Sequence, residues 1–259
     1  MGEQAQPDRR RAGTQEQALP GGQVTSTVRV GDTVRRPVSR GFYGDPGFVR
    51  DLLLFLEQAG WAGAPRFLGS DQQGRQVLTF LDGHVAWDWT GGQPEAVSGD
   101  ASLARAGELT KELHDLTAGT ALAGESEVVC HNDLWPGNIV YRDLGQGLRP
   151  VAFIDWDLAS PGERIHDVAR LCWQYAGWWE GSDPAEVNRR STVICDGYGL
   201  ADRSGLVETV LWWQERCWRG IDRAAEAGDP AMAGLRASGA VEEIKAAYAW
   251  VERHREELH

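Results

Sequence analysis

The chain has 259 residues, of which 42% are hydrophobic and 25% charged, with a formal net charge of −12 and a pI near 5.0. Such a chain is long enough for two modest lobes and ordinary in composition for a globular protein, and its acidic balance argues against the basic face of a nucleic-acid binder. No apolar run reaches the roughly 18 residues of a membrane span, no signal-peptide pattern follows Arg9-Arg10-Arg11, and the cysteines Cys130, Cys172, Cys195 and Cys217 form no C-x-x-C pair. A cytoplasmic protein with free thiols, and with neither membrane nor nucleic acid as partner, is the expectation.

Residues 1–22 are polar and lack apolar periodicity, which predicts a disordered or loosely attached arm. Residues 24–30 alternate and are β-branched, Gly31-Asp32 signals a turn, and Thr33-Val34-Arg35-Arg36 resumes the alternation, so a β-hairpin is expected. Pro46 opens a helix carrying Phe48, Leu52, Leu53, Phe55 and Leu56 as an apolar stripe, and Gly60 stops it. Residues 65–68 and 76–81 predict two further strands before the Asp82-Gly83 break. A helix is expected over 101–117, then short strands at 127–130, 138–141 and 151–154, the last two joined by a turn at 143–147. From Asp167 onward the pattern is helical, interrupted at 181–183 and 228–230. Trp173, Trp178, Trp179, Trp212, Trp213 and Trp218 fall in this region and are expected to fill a helical core rather than line a pocket.

Two stretches carry chemistry: His131-Asn132-Asp133-Leu134-Trp135-Pro136-Gly137-Asn138, and Phe153-Ile154-Asp155-Trp156-Asp157. The first reads H-x-D-x-x-x-x-N and the second places an acid after an apolar strand. Phosphoryl transfer needs one carboxylate at the acceptor hydroxyl and oxygen ligands for magnesium. Asn138 begins one strand of a ribbon and Asp155 ends the next, so antiparallel pairing should bring them side by side, roughly 5 Å apart, where they could share a hard cation. Asp133, on the loop entering the same ribbon, can reach that mouth and accept a proton. His131 is expected to organise the loop, Asn132 to tolerate an unusual backbone angle, and Asp157 to be either a nearby supporting acid or an auxiliary metal ligand.

These residues resemble the aminoglycoside phosphotransferase and choline kinase-like family, whose pattern is H-G-D-L-x-P-x-N followed by I-D-[FW]; Pro161-Gly162 and Asp167-Val168-Ala169 continue the likeness. The resemblance implies an α+β, bilobal, protein-kinase-like fold: a small β-rich N-lobe with one helix over 23–81, and a larger, mainly helical C-lobe over 82–259. Within that C-lobe it places a catalytic loop at about 127–173 and a substrate-binding region at about 176–259. It implies ATP or GTP as donor with Mg2+, Asp133 as the catalytic aspartate, Asn138 and Asp155 as metal ligands, and Asp167 as a buried acid anchoring the catalytic loop. Thr79, Phe80 and Leu81 would form the hinge that reads the base.

The chain departs from the family in places. The small-lobe strand of the family usually offers the phosphates a Lys, or in many members an Arg; here it reads Val34-Arg35-Arg36, where alternation favours Arg36, with Arg35 the fallback. The helix that usually carries a partnering Glu has Val49 near that place, and Asp51 is the nearest acid. There is no G-x-G-x-x-G, and residues 21–26 are the sole candidate for a loop over the phosphates. Glu180, Asp183, Glu186 and Glu215 with the tryptophans would give an acidic, aromatic surface suited to a cationic hydroxyl compound, although most of these acids read as solvated helix faces. The expected function is phosphate transfer to a hydroxyl of a small molecule: an aminoglycoside-type antibiotic, or a sugar, choline-like or amino-alcohol metabolite. A catalytically silent, nucleotide-binding kinase fold is the alternative. The lack of an A-P-E motif disfavours a protein kinase.

Overall fold

A computed structural model describes residues 15–19, 27–38, 44–87, 94–145 and 147–258. In the first lobe the alternating stretch forms β2 (Val28–Val30) and β3 (Thr33–Arg36), after a two-residue β1 (Gln17–Ala18). Helix α1 (Pro46–Gln58) follows, capped by Asp45 through Gly47 N at 2.8 Å, and then β4 (Phe67–Ser70) and β5 (Gln76–Thr79). The strands pair antiparallel in the order β1-β2-β3-β5-β4. Val49, Leu52, Leu53 and Leu56 bury the stripe of α1, as its 3.6-residue period requires.

Part of the expected arm belongs to this sheet. Gln17 faces Arg29 and Ala18 faces Val28 across β1–β2, and Glu16 reaches Arg75 at 2.7 Å. A strand this short is held by its backbone ladder, which leaves no apolar periodicity to read. The remainder of residues 1–22 and the candidate phosphate loop at 21–26 lie outside the described residues.

The second lobe runs β6 (His84–Val85), α2 (Glu95–Ser98), α3 (Asp100–Thr117), β7 (Val128–Cys130), β8 (Ile139–Asp143), β9 (Leu148–Phe153) and β10 (Ser160–Gly162). Helices α4 (Arg164–Leu171), α5 (Pro184–Tyr198), α6 (Leu206–Glu226), α7 (Pro230–Ala237) and α8 (Ala240–Arg253) complete it. A 3-10 turn, Pro136–Asn138, leads into β8, and a π-helical turn, Cys172–Gly177, extends α4. Two small antiparallel sheets, β6-β8-β9 and β10-β7, carry the loops of interest. This is the bilobal, protein-kinase-like architecture, with a β-rich first part and a helical second.

One apolar core joins Leu52 and Leu53 of α1 to Leu103 and Leu109 of α3, Phe153 of β9 and the buried Trp173, Trp178 and Trp213. Trp212 differs, being 41% exposed. Among the described residues no helix is long and apolar enough to cross a membrane.

Helices α3 and α5 cross so closely that a Cβ on Gly197 would stand 2.2 Å from the Ala104 carbonyl oxygen, and one on Gly107 would stand 2.4 Å from that of Ile194. Backbone cannot yield as a side-chain tip can. Gly197→Ala should therefore destabilise the protein by about 2 kcal/mol or more through overpacking, despite the better helix propensity of alanine. Gly234→Ala on α7 meets nothing within 4 Å and should stabilise by about 0.5–1 kcal/mol. Urea unfolding of the two variants checks the opposite signs.

Candidate active site

The loop after β7 is shaped by one carboxylate. Asp167, in the first turn of α4, is fully buried. Its Oδ2 accepts from His131 N at 2.7 Å and its Oδ1 from Asn132 N at 2.8 Å, and His114 Nε2 lies 3.1 Å from Oδ2. Burial pushes the Asp167 carboxyl up, but the His114 hydrogen bond and charge, with the His131 contacts, outweigh it and leave the group below the usual carboxylate range. Two successive N–H groups aimed at one carboxylate turn the chain sharply, and Asn132 takes φ +65°, the left-handed region that Asn tolerates. Its Nδ2 donates to Leu158 O at 3.0 Å and Ser160 Oγ at 2.8 Å.

His131 is packed on Trp156 and Phe153, with ring centroids 4.6 and 5.7 Å away. Its Nδ1 accepts from Asp133 N at 3.3 Å and its Nε2 faces Ile154 O at 3.1 Å. The first bond needs a bare Nδ1 and the second an Nε2–H, so the ring is the neutral Nε2–H tautomer. Burial accordingly lowers its pKa below 6.5.

Asp133 follows, part-buried. Its Oδ2 accepts from Asn138 Nδ2 at 2.9 Å and its Oδ1 from Arg170 Nη2 at 2.8 Å. Asn138 also donates to Asp133 O at 2.9 Å. On the ribbon, Ile139 faces Phe153 and Ile154 N donates to Asn138 O at 2.9 Å. Asn138 is thus opposite Ile154 rather than Asp155, and the side-by-side geometry expected from the turn is off by one residue. A bulge between Val140 and Tyr141 shifts the register one residue toward that expectation, since the turn-side pairing of Tyr141 with Pro150 would by itself have set Asn138 opposite Phe153. Asp155 reaches the mouth through its own left-handed turn, φ +64°.

One cavity of about 590 Å³ is lined by Asp133, Asn138, Asp155 and Arg36, and also by Thr79, Phe80 and Leu81. Val34, Leu78, Val140 and Ile154 give it apolar walls. Arg36 Nη2 donates to Asp155 Oδ1 at 2.9 Å and to Asp157 Oδ2 at 2.5 Å. Burial would lower the Arg36 value, but Asp155 and Asp157 hold it above the ordinary one. Its Nε is buried with no partner among the described residues. Arg35 turns to the other sheet face, donating to Thr33 Oγ1 at 2.6 Å and lying 3.9 Å from Asp71. Val49 packs in the core and Asp51 pairs with Arg50 at 2.7 Å, so the acids opposing Arg36 come from the second lobe, not from α1. In the stretch expected to form the hinge, Thr79 N is bonded to Arg66 O and Phe80 N to Asp32 O, while Leu81 N has no backbone partner among the described residues.

The residues suit a hard divalent ion. Asn138 spends its Nδ2 on Asp133 and so turns Oδ1 away from it, and Asp155 is exposed to the cavity. A carboxylate and an amide oxygen with room for phosphate are magnesium-type donors. The buried trio His114, Cys130 and Asp167 is a different matter. Its carboxylate is consumed by the loop amides and His114, and Cys130 Sγ donates to Glu163 O at 3.2 Å, so it is structural.

The acids of the helical region are engaged on helix faces and at turns, in keeping with the solvated helix faces expected for most of them. Glu180 pairs with Arg253 at 2.7 Å, Glu186 with Arg189 at 2.7 Å and Glu215 with Arg219 at 2.6 Å, while Asp183 caps α5 through Ala185 N at 3.1 Å. None lines the cavity. Helix-face acids usually find such partners, which a sequence cannot separate from pocket acids. Conversely, sequence reasoning passed over Arg170, 37 residues beyond Asp133. Its one signal was a charge three residues after Asp167, on the same buried helix face.

Fold and cavity define a protein-kinase-like phosphotransferase. Residues 120–202 match the model of the phosphotransferase enzyme family. The trifolitoxin immunity protein of Rhizobium leguminosarum bv. trifolii is 31% identical over 224 residues, covering 76% of this chain and 79% of that one. Among solved structures, Plasmodium vivax ethanolamine kinase superposes with TM-score 0.59 at 13% identity, over 94% of this chain and 84% of that chain. An APH(2″) enzyme in complex with GDP and kanamycin superposes with TM-score 0.60 at 15% identity, over 92% and 95%. The chain belongs to the phosphotransferase enzyme family.

The two perturbed groups give a pH dependence of stability. His131 is neutral when folded and its unfolded value is near 6.5, so its contribution is complete above that value and is lost as pH falls toward the folded value. Asp167, depressed below 3.8, adds a second loss at more acid pH. The urea midpoint should therefore fall on acidification below pH 6.5, and His131→Gln should flatten the first part of that fall. Parallel curves for parent and variant would show that His131 is not a buried neutral ring.

Proposed function

We propose that the protein transfers the terminal phosphate of ATP or GTP to a hydroxyl of a small molecule. The observation that supports this reading is one cavity lined by Asp133, Asn138, Asp155 and Arg36 and also by Thr79, Phe80 and Leu81. Asp133 orients the acceptor hydroxyl and takes its proton. Arg36 faces the phosphates with a planar, permanently charged fork, which serves in place of a lysine. Val34, Leu78, Val140 and Ile154 flank the base, and the hinge backbone reads it. Asn138 and Asp155 are proposed to hold magnesium, which when bound neutralises charge on the phosphate oxygens. His131 and Asp167 hold the loop without touching reactants, and Asp157 steadies Arg36. The intact trio Asp133, Asn138 and Asp155 speaks against a silent nucleotide-binding fold.

The acceptor is read in two ways. The immunity role named for the Rhizobium relative supports inactivation of an antibiotic-like compound. The likeness of the loop motif to choline kinase-like members supports instead a sugar or amino-alcohol metabolite. A screen of hydroxylated compounds and amino sugars for nucleotide consumption separates the two.

Asp133→Ala should lower transfer at least ~10²-fold, as expected for loss of a general base, with nucleotide affinity nearly unchanged. Asp155→Ala should weaken magnesium–nucleotide binding as well. Turnover equal to the parent in both variants would remove the assignment.

A further inference from the structure

Arg170 is the charged side chain at this site to which the reading above gives no task. It is 9% exposed. Its guanidinium lies 4.8 Å from the Trp173 ring and 5.6 Å from that of Trp213. Nη2 donates to Asp133 Oδ1 at 2.8 Å, Nη1 donates to Cys217 Sγ at 3.1 Å, and Nε is buried without a partner among the described residues. Burying a cation costs several kcal/mol even when it is paired, and an apolar side chain of similar volume is often as stable or more so. The Asp133 ion pair and the two indole faces offset that cost, but a thiol is a weak acceptor and Nε is left without a partner among the described residues, so the arginine gains little over an apolar side chain. Stability alone gives poor reason for an arginine here.

Geometry supplies another reason. Asp167 and Arg170 stand three residues apart, on one face of α4. The first holds the backbone of the loop at His131 and Asn132, and the second holds the side chain of the next residue, Asp133. Asn138 grips one oxygen of that carboxylate and Arg170 the other. Two donors on two oxygens fix the plane of the group, and the carboxylate edge left over faces the cavity that Asp133 lines. Arg170 is itself clamped. Trp173 is carried by the π-helical turn that follows α4, Trp213 and Cys217 by α6, and Trp213 Nε1 donates to His166 O at 2.7 Å. Turns of this kind recur at functional sites because they re-aim one side chain within a helix.

We propose that Arg170 is a positioning residue for phosphoryl transfer, holding the Asp133 carboxylate in the orientation that receives the acceptor hydroxyl, with Trp173, Trp213 and Cys217 holding Arg170 in turn. The proposal rests on the phosphotransferase reading. It adds that the loop motif is incomplete without a cation supplied from α4.

The test uses the full chain with ATP and GTP, following both transfer to the best acceptor from the screen and hydrolysis to water. Arg170→Met should lower kcat about 100-fold, within the range for general-base catalysis, and leave the nucleotide KM within about threefold, the mark of an interaction used in the transition state. Arg170→Lys keeps the charge without the fork and should recover part of the loss. It also carries the test if Arg170→Met does not fold, as judged by circular dichroism and Tm. In a double-mutant cycle, Arg170→Met added to Asp133→Asn should cost less than about twofold more, because its effect runs through Asp133. Additive losses, or kcat and KM falling away together with Tm, would make Arg170 merely structural. Parent-like kcat in both Arg170 variants would overturn the proposal while leaving the phosphotransferase reading intact. No turnover in the parent with either nucleotide would overturn that reading, and the role of Arg170 with it.

Discussion

A single buried carboxylate sets the geometry on which the site depends. Asp167 has no exposed surface, and it is satisfied by two consecutive backbone N–H groups and an imidazole. Charge-assisted bonds of this kind are about twice as strong as neutral ones, which offsets the roughly 1–2 kcal/mol that a left-handed L-residue costs at Asn132. The anchor is tied further into the helical lobe. His114 on α3 reaches Tyr198 on α5 at 2.9 Å, and Arg164 donates to that tyrosine oxygen at 3.2 Å. The loop is thereby held by α3, α4 and α5 together, and Asp133 enters the cavity from a rigid base.

The opposite wall is held by a different logic. Arg36 is carried by the first lobe, yet both of its acids, Asp155 and Asp157, belong to the second. Where the family pattern has a Glu on the N-lobe helix, this chain has Val49 packed into the core. The usual ion pair within one lobe is replaced by one that spans the cleft. Arginine suits the change because its fork can engage two carboxylates from one nitrogen-rich plane, whereas an ammonium acts as a point charge. Arg36 and Asp155 are consequently coupled: whatever engages the guanidinium also alters the surroundings of the carboxylate.

Much of this was legible in the sequence, for reasons that can be stated. Alternation put Val34 and Arg36 on one strand face, and both line the cavity while Arg35 points away. The spacing from Asp133 to Asn138 is local, so the loop carried its own geometry. The ribbon put Asn138 and Asp155 at one mouth, but a bulge and a left-handed residue decided the last few ångströms, and neither has a sequence signature strong enough to read. β1, β6 and β10 were missed because strands of two or three residues exist only through their partners. Arg170 was missed because a contact 37 residues distant is made by tertiary packing, and its helix looks ordinary when read alone.

The acids of the helical region show how little net charge says about a pocket, and the cause is physical. A net charge of −12 suggests a negative surface waiting for a cation. Individual carboxylates on helix faces, however, take nearby arginines: Glu186 takes Arg189 and Glu215 takes Arg219 on their own helices, and Glu180 takes Arg253 from α8. Exposed pairs of this type contribute only about 0–1 kcal/mol each to stability, but they still cancel the local field within about a Debye length, ~8 Å at physiological salt. Around the cavity the same cancellation occurs at closer range, Asp133 against the buried Arg170 behind it and Asp155 against Arg36. The field an acceptor meets is therefore set by these short-range pairs and by the low-dielectric walls around them, and the excess of acid over the whole chain has little purchase on it.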